Sequence, residues 1–209
     1  MNNELTMRYP KLRELREAIK ALIKGPYTSR YPKYPHKAYE RFRGRPHFHE
    51  EECTGCTACA QVCPTGAIEF KDEVKGLKAK RTLTVNWDVC IFCGQCQANC
   101  LTAKGIILSQ EYDFATTGKR EEMKEVIEKE FVVCECCGEL IAPYDQYVWV
   151  AKRLGPLCFS NSSLILFYLK ILNLVSAIKP ASKPESELNR ADRMKILCPR
   201  CRRQAVIKS

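Results

Sequence analysis

The sequence predicts an α+β fold in three parts. Residues 1–49 read as an N-terminal amphipathic helix and extended arm, residues 50–115 as a compact module of short strands and helices, and residues 116–209 as a helix followed by a second cysteine-rich region. Three observations carry this expectation. A four-cysteine run occurs twice between Cys53 and Cys100. Short segments of period-two alternation flank both copies, as in Thr82-Leu-Thr-Val-Asn-Trp87. Two further cysteine pairs, Cys134/Cys137 and Cys198/Cys201, bracket the last third of the chain.

The first run is Cys53-Thr-Gly-Cys56-Thr-Ala-Cys59-Ala-Gln-Val-Cys63-Pro64, and the second is Cys90-Ile-Phe-Cys93-Gly-Gln-Cys96-Gln-Ala-Asn-Cys100-Leu101. Both have the spacing C-x2-C-x2-C-x3-C. In two-cluster ferredoxins, three cysteines of such a run bind one [4Fe–4S] cluster and the fourth binds the other. The expected ligand sets are therefore crossed: Cys53, Cys56, Cys59 and Cys100 for the first cluster, and Cys90, Cys93, Cys96 and Cys63 for the second. This is the pattern of a bacterial-type two-[4Fe–4S] ferredoxin fold. The competing reading, paired zinc sites or a disulfide framework, fits poorly. Zinc knuckles pair as C-x2-C across a longer loop, not as cysteines at every third position.

At 209 residues the chain has room for one large or two small domains. Fourteen cysteines spent in metal-type spacings imply a reducing compartment. The first 25 residues are charged throughout and lack the apolar stretch of a signal peptide. A net charge of +10 suits an acidic partner as well as a generally basic surface.

In the arm, Leu12, Leu15, Ile19, Leu22 and Ile23 recur at helical spacing over residues 10–24, with Gly25-Pro26 as the stop. Such a helix suits a partner protein, a lipid interface or the protein's own core. Residues 27–35, rich in tyrosine and proline, read as an extended strap. Basic residues interleaved with aromatics also occur in single-strand binders, but no recognition motif accompanies them, and nucleic acid is not an expected partner. His36, His47 and His49 are expected at the surface rather than on a metal.

Within the module, helices are expected near Thr57–Val62 and Gly94–Asn99. Strands are expected at Ala67–Phe70, Thr82–Trp87 and Ile106–Ser109, with Lys71–Lys80 a polar loop joining the halves. Neither run leaves a vacant ligand position, so both clusters should relay electrons rather than act on a substrate.

Arg41-Phe-Arg-Gly-Arg-Pro46, the two runs, and Ile107-Leu-Ser-Gln-Glu-Tyr-Asp113 together resemble the eight-iron ferredoxin-type subunit of respiratory complex I. They are more similar still to its counterparts in membrane-bound [NiFe] hydrogenases, formate hydrogenlyase and archaeal sulfur-reducing complexes. The resemblance runs from about Tyr34 to Phe114. It implies a peripheral subunit on the cytoplasmic face of the membrane. The implied partners are the neighbouring small iron–sulfur subunit and the membrane-arm subunits, with soluble ferredoxin as electron donor. One departure stands out. A proline usually follows the fourth cysteine of both runs, but Leu101 follows Cys100.

In the last third, Glu121–Glu130 reads as a charged helix. Cys134-x2-Cys137-Gly and Cys198-Pro-x-Cys201 are knuckles of the zinc-ribbon or rubredoxin kind, and together they supply four thiolates for one Zn²⁺ or iron. The formate hydrogenlyase subunit has a similar arrangement. Cys136 and Cys158 are left over and are expected as buried thiols, although Cys136 is also placed to replace Cys134 as a ligand. Between the knuckles, Ser163–Ile178 is apolar nearly all round. It is shorter than a membrane span and interrupted by Lys170 and Asn173, so it reads as a helix covering a core or a partner. Residues 179–193 read as a solvated loop.

The expected role is an electron-transfer subunit, itself non-catalytic, of a complex-I-related membrane-bound oxidoreductase. The alternative is a free-standing soluble ferredoxin-like carrier. No dinucleotide or phosphate-loop fingerprint is present.

Overall fold

The computed structural model describes residues 11–75, 78–175 and 194–207. The chain divides into two units, residues 1–39 and 40–209. In the first, helix α1 spans Leu12–Lys24. The Glu14 carboxylate accepts from the Lys11 N–H at 3.2 Å, and Gly25 closes the helix at φ 75°. The helix buries none of its residues, and Leu12, Leu22 and Ile23 are each more than 80% exposed.

The second unit is built on two antiparallel sheets. Strand β1 (Pro46–Phe48) pairs with β4 (Ile106–Leu108), matching Phe48 to Ile106 and Pro46 to Leu108. The two motifs that flank the cysteine runs extend this pairing. Gly44 N–H donates to the Ser109 carbonyl and Ser109 N–H to the Arg45 carbonyl, both at 2.9 Å. Arg45 pairs with Glu111 and lies over the Trp87 ring. The short helices α2 (Ala58–Gln61) and α3 (Gln95–Ala98) follow the ligand loops where expected.

The larger sheet has the order β2-β3-β5-β6, with β2 at Ile68–Lys75, β3 at Lys78–Asn86, β5 at Lys124–Val133 and β6 at Leu140–Pro143. It corrects two sequence expectations. The segment expected as a polar loop, Lys71–Lys80, is mostly strand apart from residues 76 and 77, which lie outside the described residues. Its two acidic residues lie opposite basic ones across the ladder, Asp72 facing Arg81 and Glu73 facing Lys80. Glu121–Glu130, expected as a helix, forms one short 3₁₀ turn at Arg120–Glu122 and then β5. In β5, Glu125, Ile127, Lys129 and Phe131 face inward while Val126, Glu128 and Glu130 are exposed. This period of two fits a strand, and pairing with β3 in the register Leu83↔Ile127 satisfies its backbone.

Beyond β6 come α4 (Tyr144–Leu154), a 3₁₀ segment (Gly155–Ser160), α5 (Ser162–Ile171) and α6 (Pro199–Ile207). The Asn161 side chain caps α5 by accepting from the Ser163 and Leu164 N–H groups. Leu166 and Phe167 of α5 pack with Val132 of β5 and Ile196. The apolar run expected to Ile178 thus packs on the protein's own core through Leu166 and Phe167, while Tyr168 and Ile171 are exposed; residues 176–178 and the expected loop 179–193 lie outside the described residues. No described helix is long and apolar enough to cross a membrane.

Candidate metal centres

Each ligand loop turns by the same device. Gly55 and Thr57 in the first loop take positive φ (70° and 65°), as do Phe92 and Gly94 at the matching positions of the second (52° and 81°). The glycine has changed place between the copies while the turn has not. This winding aims N–H groups at the sulfurs; Phe92 N–H lies 3.4 Å from the Cys90 Sγ. The turns after the fourth cysteines match as well. Gly66 and Ala103 both have positive φ (66° and 60°), and each donates back to the carbonyl of Cys63 or Cys100. Leu101 in place of the usual proline therefore leaves the turn intact.

The loops close two cavities. One is lined by Cys53, Cys56, Cys59 and Cys100, with Phe48 and Ile106 as an apolar wall. The other is lined by Cys63, Cys90, Cys93 and Cys96, with Pro46 and Leu108 in the equivalent place. The β1–β4 ladder thus walls both cavities, one with each end of its register. Each cavity gathers three cysteines of one run and the fourth of the other, and their thiol-rich, otherwise apolar linings suit iron–sulfur ligation.

The thiols differ in acidity. Burial pushes Cys59 up to about 12 and Cys96 up to about 11. Burial also raises Cys53 and Cys90. The two crossing cysteines go the other way. Burial works to raise Cys63, but donors from Ile68 N–H, Thr65 and Ala67 outweigh it and hold the thiol below its usual range. At Cys100 burial is likewise outweighed, by Thr102, Gly105 and Ile106. The threonine hydroxyls lie 3.7 Å from the Cys63 Sγ and 3.5 Å from the Cys100 Sγ.

Cations brace both loops from outside. Arg81 donates to the Gly55 carbonyl at 2.8 Å, pairs in bidentate fashion with Asp72, and lies between the Phe70 and Phe131 rings. Arg43, which is exposed, donates to the Cys93 carbonyl at 2.8 Å. Lys129, buried on β5, donates to the Glu50 carbonyl and pairs with Asp145 at 2.8 Å. Sequence reading gave none of the three a role at a ligand loop, although Arg43 lies within the Arg41–Pro46 motif. The threonine two places after each fourth cysteine was legible as a repeat but went unread.

A third centre lies in the C-terminal region. The sulfurs of Cys134, Cys137, Cys198 and Cys201 all lie within 4.8 Å of one another, with those of Cys137 and Cys198 3.7 Å apart. A tetrahedral ion about 2.3 Å from each thiolate sets the sulfurs roughly 3.8 Å apart, so the four residues fit such an ion. Burial raises Cys137 to about 11 and also raises Cys201. Backbone donors of Cys137, Cys198 and Cys136 overcome burial and lower Cys134. The two knuckles are tied together through Glu135. Its backbone N–H donates to the Ile196 carbonyl, its carboxylate accepts from Ile196 N–H at 2.8 Å, and it pairs with Lys170 of α5. Cys136 and Cys158 are buried, as expected, with Cys136 beside Cys201. All fourteen cysteines are thiols rather than disulfides. His47 sits between Glu111 and Glu125, edge-on to Trp87, and not at any of the three centres.

The family described as the 4Fe-4S dicluster domain matches residues 52–104. NAD(P)H-quinone oxidoreductase subunit I of Gloeobacter violaceus is 35% identical over 100 residues, covering 46% of this chain and 47% of that protein. Formate hydrogenlyase subunit 6 of Escherichia coli is 36% identical over 122 residues, covering 56% of this chain and 63% of that protein. The chain therefore spans about half to under two thirds of the length of these relatives. A chain in the structure of the membrane-bound sulfane sulfur reductase, an archaeal respiratory membrane complex, is 25% identical and covers 58% of this chain and 65% of its own length. Its TM-score of 0.39 is too low to bear on the fold. Residues 52–104 thus match the 4Fe–4S dicluster family, and over about half of its length the chain is similar to quinone oxidoreductase subunit I and to formate hydrogenlyase subunit 6.

Proposed function

We propose that the chain is the electron-transfer subunit of a membrane-bound, complex-I-related oxidoreductase of the hydrogenase or sulfur-reductase type. It would take electrons from reduced ferredoxin or a neighbouring subunit and pass them toward the catalytic subunits. The observation that carries this reading is the crossing of the cysteine runs: each cavity takes its fourth thiol from the other run. Cys53, Cys56, Cys59 and Cys100 would hold the first [4Fe–4S] cluster, and Cys90, Cys93, Cys96 and Cys63 the second. Bound there, each cluster would accept and release one electron. Cys59 lies on α2 and Cys96 on α3, and these two helices pack against one another, so the two sites approach there. The apolar ends of β1 and β4 wall one side of each. Cys134, Cys137, Cys198 and Cys201 would hold one Zn²⁺ or iron in a closed site with a structural role. Membrane attachment and the partner subunits belong to this proposal and rest on the homologues.

Metal and sulfide analysis with electron paramagnetic resonance tests it. About eight irons with labile sulfide, plus one zinc or a ninth iron, are expected. Four irons or fewer would sink the paired-cluster reading. Cys100→Ala should remove the signal that Cys56→Ala removes, and Cys63→Ala the other one. Elution from a cell extract as an isolated 24.0 kDa monomer would favour the free carrier instead.

A further inference from the structure

We propose that Lys129 sets the reduction potential of the first cluster, holding it higher than the ligand loop alone would. The proposal rests on the ligand assignment above and adds a task for the C-terminal region, which supplies this residue.

Lys129 is 6% exposed, on the inward face of β5 opposite Arg81. It lies directly against the first ligand loop. A methyl group placed on Gly55 would sit 3.2 Å from both Cβ and Cγ of Lys129. Its ammonium donates to the Glu50 carbonyl, three residues before Cys53. Reduction adds one electron, and so one unit of negative charge, to a cluster, and a fixed cation nearby favours that state. Burial matters because the field of a buried charge is weakly screened.

The other cations contribute less. Arg81 is neutralised by a bidentate pair with Asp72, both bonds at 2.7 Å. Arg43, at the second loop, is exposed to solvent. The partner of Lys129 is asymmetric with it: the Asp145 side chain is 42% exposed against 7% for that of Lys129. Water weakens the anion's field more than the cation's, leaving a net positive field at the loop. The protein thus biases one cluster of a nearly symmetric pair. It does so with a strand from outside the repeat.

The test is a potentiometric titration of the full-length, cluster-loaded protein with dithionite, monitored by paramagnetic resonance, after iron and sulfide have been counted. Loss of one signal in Cys56→Ala identifies the first cluster. With Lys129→Met, the reduced-to-oxidised ratio of that cluster at a fixed potential should fall by about tenfold or more, while the second cluster keeps its midpoint. Asp145→Asn should shift the first cluster the opposite way, and Lys129→Arg should stay near wild type. Equal shifts at both clusters, no shift, or shifts of the same sign in Lys129→Met and Asp145→Asn would overturn the proposal. If Lys129→Met fails to load, Lys129→Gln, which keeps a donor toward the Glu50 carbonyl without the charge, is titrated in its place and read by the same outcomes. A wild-type iron count of four or fewer would refute the ligand assignment instead.

Discussion

Replacing Arg81 with methionine should loosen the first ligand loop and leave the second untouched. The guanidinium makes a charge-assisted bond to the Gly55 carbonyl, a bidentate pair with Asp72, and two ring contacts at 5.0 and 4.8 Å. The first is worth about 1.5–3 kcal/mol. The ion pair adds roughly 0.5–1 kcal/mol, since Asp72 returns to water when released. Each ring contact adds about 0.5 kcal/mol, partly recovered by the methionine stem packing between the same rings. The net loss is about 3 kcal/mol. If these contacts break before iron is released, the first cluster should bleach up to about a hundredfold faster in denaturant, at 1.36 kcal/mol per tenfold. Stopped-flow absorbance should then show two phases of equal amplitude, one fast and one at the wild-type rate. A single phase, or acceleration of both halves, would refute the view that Arg81 braces one loop.

Three further outcomes follow from the same contacts. Ala103→Gly should stabilise the protein by about 1 kcal/mol, because Ala103 holds a left-handed conformation that its counterpart Gly66 adopts without cost; slower thermal bleaching checks it. Glu135→Ala should cost about 3 kcal/mol by stranding Lys170 and the Ile196 N–H, and should weaken metal retention at the C-terminal centre in a chelator-competition assay. Thr65→Val and Thr102→Val should each lower the midpoint of a different cluster, the second and the first respectively, since each removes a hydroxyl contact from one crossing sulfur; midpoints unchanged in both would show that the contacts do not tune the sulfurs.

How much was legible in the sequence differed by region. The ligand loops and the helices after them follow from local rules, a turn of two positive-φ residues and a cysteine at every third place, so their positions were read to within a residue. The segment 121–130 was misread because its lysines and glutamates are good helix formers. Its alternation became decisive only once β3 offered a pairing partner and a buried face. Lys71–Lys80 was misread as a loop for a similar reason, since a polar strand is held by charges on its neighbour. Strands β1 and β6 and helices α4 and α6 went unread. Their apolar positions, such as Tyr147, Val148 and Ala205, gain meaning only from the helices and strands they touch.

The cysteine spacing by itself determined what kind of group this protein is built to hold, because ligand loops are short and their geometry is set within a few residues. The spacing also pointed to the crossing of the two runs, a consequence of the repeat. Tertiary structure alone decided what surrounds each loop. The cations at Gly55 and Glu50 come from β3 and β5, 26 and 79 residues further along the chain than the carbonyls they meet. Contacts across such separations depend on sheet order and register, which no local pattern encodes, and they make the environments of two nearly identical loops unequal.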